Sequence, residues 1–272
     1  GQLGAAGDDH VADPGQPEEG FDLGPVGLAD GPVSLPDGSY DATARIVDGP
    51  DQLGEYLVAP RQGEPADIAV EKCRLAAEHV AGEMAIVVAP TLWCGMAEHH
   101  MAFGGTFTFD IPTYRAVLLG FLKSIARHGF RRVFIVNGHG GNISALAAFL
   151  PDLAVETGLI LRVTTYFELA QPAMPAILED QERVRHACEG ETSLMLALAP
   201  DCVRRDKLPE AVSIKNSTPR PLGVGQYRAY RSFTPTGVVG DARRATKEKG
   251  DKLAIACRDA LVAVLRDQEA WG

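Results

Sequence analysis

The sequence lacks an excess of positive charge. Its 26 Lys and Arg residues stand against 36 Asp and Glu, for a formal net charge of −10. Nucleic acid and anionic membrane surfaces are recognised through clustered basic residues, so neither is expected as a partner. No apolar run reaches the ~18 residues that span a bilayer, and no basic stretch followed by an apolar one reads as a leader. Paired cysteines are missing too. Cys73, Cys94, Cys188, Cys202 and Cys257 are odd in number, scattered and never spaced as CxxC. That pattern excludes a zinc ribbon or a dithiol redox motif and predicts reduced thiols in a cytoplasmic protein.

What is present falls into two regions of one domain. Residues 1–66 are rich in Gly, Pro, Asp and Glu, as in GDDHVADPGQPEEG, with only short strand-like pieces such as YDATARIVD at 40–48. Residues 11–66 read as an inserted arm of loops and one or two hairpins. Long loops are uncommon in compact domains unless they serve a site or an interface, so the arm is expected to cover one of these.

From Asp67 the pattern turns regular. DIAVEKCRLAAEHVAG places Ala69, Cys73, Ala76 and Val80 at helical spacing. MAIVVAP (84–90) is a short apolar run of the kind found in buried parallel strands. Residues 110–129 open on Asp110 as N-cap, carry Pro112 in the first turn and stop at Gly129. RRVFIVNG is the next strand. NISALAAFLPDLAVETG (142–158) predicts a helix capped by Asn142 and kinked at Pro151. A strand at 159–166, a helix at 190–200 and a long closing helix over 242–271 follow. Strands alternating with helices predict an α/β fold with a largely parallel sheet and helices on both faces.

In such sheets ligands bind at the carboxyl ends of strands. NGHGGN (137–142) is a strand-to-helix loop there, with His139 among three glycines. Glycine allows backbone to approach a ligand closely, and an imidazole in that place can hold a metal ion through one ring nitrogen. Two other stretches share this character. CGMAEHHMAFGGTFTFD (94–110) sets Glu98, His99 and His100 beside a Gly-Gly turn; adjacent histidines diverge in regular structure, so at most one of the two is expected to face a given site. HACEGETS (186–193) sets His186, Glu189 and Glu191 at a helix start, supplying an acid/base pair and hard metal ligands, although carboxylates there also serve as dipole partners.

Together the three stretches resemble the creatininase family of metal-dependent hydrolases. GGTFTF is similar to its Gly-Thr turn, VNGHGGN to its metal-binding His loop, and HACEGETSLML to its His-Ala-Gly-Glu-x-Glu-Thr-Ser helix start, over residues 67–200 or so. The resemblance implies a three-layer α/β/α fold, commonly assembled into a homo-oligomer, a hexamer. It implies a divalent metal (zinc, manganese or iron) and hydrolysis of C–N bonds in small cyclic amides or formamides. The family's early motif Pro-x-Gly-Ser-x-Glu-x-His-Gly-x-His-Leu-Pro is degenerate here. Gly4 falls at the Glu, Ala6 at the first His, and His10 near the second His; Asp67 opens the helix that the family's ligand Asp usually precedes. One ion rather than two is therefore expected. His139, Asp67, Glu189 and His10 are its candidate ligands, and His186 and Glu191 the catalytic pair. Glu98, His99, Gly140 and Gly141 would contact a small-molecule substrate, with the last two supplying oxyanion donors. An acid/base enzyme (dehydratase, isomerase or cyclase) with a reduced or absent metal site, and a non-catalytic binding or assembly subunit, are the alternatives.

Overall fold

The computed structural model of the chain describes residues 55–58, 67–179, 181–213 and 227–271. His10 and the strand-like stretch at 40–48 lie outside the described residues. Four parallel strands, β1 (Glu55–Val58), β2 (Ile86–Val88), β3 (Arg132–Asn137) and β4 (Ile160–Thr165), form a sheet in the order β2-β1-β3-β4. β1 is an interior strand, pairing Tyr56 with Val87 on one side and with Val133 on the other. It lies within residues 11–66, the stretch read from sequence as an arm of loops and one or two hairpins. EYLV is too short to display a period of two, so its strand character comes from pairing rather than from local pattern.

β3 explains how a helical layer forms on each face. Val133 and Ile135 pack with Tyr114, Leu118 and Leu122 of α2 (Ile111–Arg127) and with Leu146 and Phe149 of α3 (Ile143–Thr157). Phe134 and Val136 point the other way, into a cluster with Cys73 of α1 (Asp67–His79), Tyr166 of α4 (Tyr166–Leu169), Leu194 of α5 (Glu189–Leu198) and Leu253 of α6 (Lys247–Arg266). Burial of each large apolar side chain is worth about 1.5–3 kcal/mol. Four such residues in succession make β3 a rigid mount for the turn at its carboxyl end.

The helix ends follow local chemistry. The Asp110 carboxylate accepts the Thr113 N–H at 2.9 Å, and Gly129 beyond the last turn has φ of 88°. α3 runs from Ile143 to Thr157 with Pro151 inside it, and Gly158 closes it in the left-handed region. Asn142, expected to cap α3, makes no side-chain cap; its amide is used in the site instead. The closing helix is shorter than 242–271. Asp241 caps a separate turn at Ala242–Arg244, Thr246 accepts the Lys249 N–H to start α6, and a short helix, α7 (Gln268–Trp271), follows it. A Cβ on Gly250 would fall inside the Ser193 carbonyl oxygen, so this glycine permits the close packing of α6 on α5.

Candidate functional site

The end of β3 carries a wired turn. Asn137 Nδ2 donates to the His139 carbonyl at 2.8 Å and to Thr165 Oγ1 on β4 at 3.0 Å, while its Oδ1 accepts the His139 N–H at 3.2 Å. Asn142 Nδ2 donates to the same Oδ1 at 3.1 Å, and Asn142 Oδ1 accepts the Met96 N–H at 2.8 Å. Both asparagines are fully buried, where an unmet amide group costs about 1–3 kcal/mol. The two amides therefore fix His139 and also tie the β3 turn to the loop after β2.

That loop brings the turn Glu98–His100 against His139. The His139 and His99 rings stack with centroids 5.3 Å apart, and the His99 and His100 centroids are 4.2 Å apart. The potential ligand nitrogens of His99, His100 and His139 all lie within 4.8 Å of one another. Both adjacent histidines thus enter one cluster, contrary to the sequence expectation, because they sit in a tight three-residue turn rather than in regular structure. Gly141 makes room for them. A Cβ there would lie 2.5 Å from His139 Nε2, 2.5 Å from the Met96 carbonyl oxygen and 2.6 Å from His99 Cε1. Gly140 has no such neighbour within 4 Å.

Burial holds these imidazoles neutral. Desolvation, reinforced by the other rings, pushes His139 down to about 3 and His186 to about 3 and brings His100 to about 4; desolvation also lowers His99, against the opposing charge of Glu98. Neutral imidazole is the metal-binding form. Among the described residues His100 Nε2 is buried without a hydrogen-bond partner, an atom that a cation would satisfy. His139 Nε2 lies 3.1 Å from the Met96 carbonyl oxygen. Three neutral imidazoles with one orphaned nitrogen fit a divalent ion with an open position.

His186 adjoins the cluster, its ring centroid 4.2 Å from that of His100. Tyr230 closes the group, with centroids 4.3 Å from His100 and 5.1 Å from His99 and His186. These rings line a cavity of about 1100 Å³ together with Gly140, Gly141 and Glu191. Glu191 accepts the N–H of Ala187, which adopts a positive φ of 47°. Tyr230 had no motif to announce it; the only signal was the Tyr-Arg repeat in YRAYR (227–231).

Other expected residues are placed elsewhere. Glu189, proposed as a metal ligand, is fully buried beneath α6: its carboxylate accepts from Lys249 Nζ at 2.6 Å and from the Glu179 N–H at 3.0 Å. It is absent from the cavity wall, because a buried carboxylate needs a cation and donors and finds them there. Glu98 is exposed; its backbone carbonyl, not its carboxylate, accepts from the Tyr227 hydroxyl at 3.3 Å. Asp67 is the first residue of α1. Among the described residues, no carboxylate joins the three-histidine cluster.

Residues 66–265 match the sequence profile of the creatininase family, described as creatinine amidohydrolase. The chain belongs to the creatininase family. Among curated relatives, a mycofactocin precursor peptide peptidase from Mycobacterium ulcerans is 29% identical over 65% of this chain and 64% of its own length. The match thus spans just under two thirds of that relative. A creatinine amidohydrolase from Pseudomonas putida is 26% identical over 70% of this chain and 78% of its own. A solved mutant creatininase described as Zn-Zn type is 21% identical, with a TM-score of 0.64 over 80% of this chain and 91% of that one. The solved creatininase shares the fold of parallel strands and helices. No helix among the described residues is long and apolar enough to cross a membrane.

Proposed function

We propose that this creatininase-family chain is a hydrolase of C–N bonds in small amides, cyclic amides or short peptides, working with one divalent ion held by His99, His100 and His139. The observation that carries the reading is the convergence of three neutral imidazoles within 4.8 Å, beside His186 and Glu191, in one cavity. This ligand set replaces the one read from sequence, keeping His139 and exchanging Glu189 for the histidines of the Glu98–His100 turn.

A bound divalent ion of this kind lowers the pKa of water toward ~7, making hydroxide available at neutral pH. The remaining work falls to the chain. Glu191, a carboxylate on the cavity wall, takes the proton of the attacking water and passes it to the leaving nitrogen. His186 is neutral at pH 7 by burial, so it acts as a neutral hydrogen-bond donor to the oxygen that gains charge. The N–H groups of Gly140 and Gly141, on the same wall, stand as further oxyanion donors, each worth about 3 kcal/mol where such donors have been removed. Asn137 and Asn142 hold this wall in register.

The test is a screen of small lactams, formamides and short peptides with and without a strong chelator. Hydrolysis that chelation abolishes and zinc restores supports the reading. Turnover that is indifferent to chelator and retained in His139→Ala would transfer the site to metal-free acid/base chemistry.

A further inference from the structure

The cavity carries charge that the hydrolytic centre does not use. Arg183, Arg185 and Arg228 all line it. Several arginines elsewhere are ion-paired: Arg115 with Glu156, Arg243 with Asp241, Arg258 with Asp259 and Arg266 with Glu83. The three cavity arginines have no ion-pair partner among the described residues. In a chain with ten more acidic than basic residues, three guanidinium groups on one cavity wall, Arg183 and Arg185 exposed and Arg228 half-buried, make a local positive patch that attracts an anion.

Their placement relates them to the reacting groups. Arg183 and Arg185 belong to the segment that runs into His186, and Arg228 to the opposite segment that runs into Tyr230. His186 and Tyr230 are 5.1 Å apart by ring centroid, and both touch His100. The arginines thus share one cavity with the imidazole cluster. Arg228 is itself steadied by the Phe233 ring, its Cζ 4.8 Å from the centroid. Glu191 and Glu168 are the carboxylates of the same wall. Glu191 is held by the Ala187 N–H, and three guanidinium groups against two carboxylates leave the wall positive.

We infer that Arg183, Arg185 and Arg228 form a carboxylate-binding subsite, so that the substrate carries a free carboxylate near its scissile C–N bond. The guanidinium fork matches a carboxylate through two parallel hydrogen bonds. Amides flanked by a carboxylate, such as N-acyl amino acids and peptides with a free C-terminus, have this form. The inference rests on the hydrolytic reading for its second half, whereas anion binding stands by itself.

The test is calorimetric titration of the folded, chelator-treated chain, so that no metal captures the carboxylate. The probes are glutarate, its neutral analogue glutaramide, and inorganic phosphate. Glutarate is expected to bind at least about tenfold more tightly than glutaramide, with affinity that falls as salt rises. Arg185→Gln and Arg228→Gln should each weaken it about tenfold with unchanged circular dichroism, and Arg228→Lys should recover part of the loss. Equal affinity for glutarate and glutaramide, unchanged binding in both Gln variants, or phosphate binding tenfold tighter than glutarate would overturn the inference. If glutarate binds as expected but no amide is cleaved, the hydrolytic reading fails alone. If amides are cleaved equally well as free acids and as carboxamides, the subsite fails alone.

Discussion

A Cβ on Gly141 would stand 2.5 Å from Nε2 of His139, a separation that real Cβ atoms essentially never show. The glycine is thus part of the histidine cluster, giving His139 and His99 the space to stack. Gly141→Ala must displace one of these rings or the Met96 carbonyl. The expected result is a loss of divalent-ion affinity of about ten- to a hundredfold with the fold retained, read by metal titration beside circular dichroism. Gly140→Ala, with open space around its added Cβ, is the control and should bind nearly as the parent does.

The amide pair below the cluster makes a separate stability prediction. Asn142→Ala removes the partner of the Met96 N–H and one of the donors to Asn137 Oδ1. Stranding buried polar groups in this way costs about 1–3 kcal/mol. Urea unfolding should show a lower midpoint with an unchanged slope. An unchanged midpoint would mean that the two loops are joined by something other than these amides.

Glu189 and Lys249 test whether the Glu189 carboxylate serves the fold or the metal ion. The pair is buried on the Glu189 side and nearly so on the Lys249 side. Lys249→Met leaves the Glu189 carboxylate without its cation and is expected to destabilise by about 3–5 kcal/mol, while metal stoichiometry stays at the parental value. Loss of the ion with no loss of stability would return Glu189 to the metal site.

The histidines predict the pH dependence of the metal-free chain. His139 and His186 titrate near 3 when folded and near 6.5 when exposed. Between these values the unfolded chain binds more protons than the folded one. The stability they protect is complete above about pH 6.5 and drains away as pH falls toward 3, by up to about 1.4 kcal/mol per pH unit for each histidine. Chemical denaturation between pH 7 and 4.5 should show this slope, and His186→Gln should make it shallower. A slope identical in the variant would place His186 in water rather than in the cluster.

Much of the fold was legible because its signals are local. Asp110, Pro112 and Gly129 punctuate α2, and the apolar run of β3 marks a strand buried on both faces. NGHGGN and HACEGETS announced the cavity through His139, His186 and Glu191. What escaped notice depends on tertiary contact. EYLV becomes an interior strand only through its partners. The joining of His99 and His100 depends on a tight turn that spacing does not reveal. Glu189 looks like a ligand in sequence because carboxylates at a helix start suit metals and cations alike, and only the position of Lys249 decides. Asn142 looks like a cap, yet its amide is spent on Met96 and Asn137. Tyr230 and Arg228 lie far along the chain from any motif, in a segment that only folding brings to His186.

The central claim is that His99, His100 and His139 hold one divalent ion. The most direct measurement is metal content and affinity of the purified chain after removal and stepwise return of zinc, manganese and iron, compared with His99→Ala, His100→Ala and His139→Ala. The account predicts one tightly held ion per chain and a loss of at least about tenfold in affinity in each variant. A chain that takes up no stoichiometric ion, or three variants that bind it as the parent does, would contradict it.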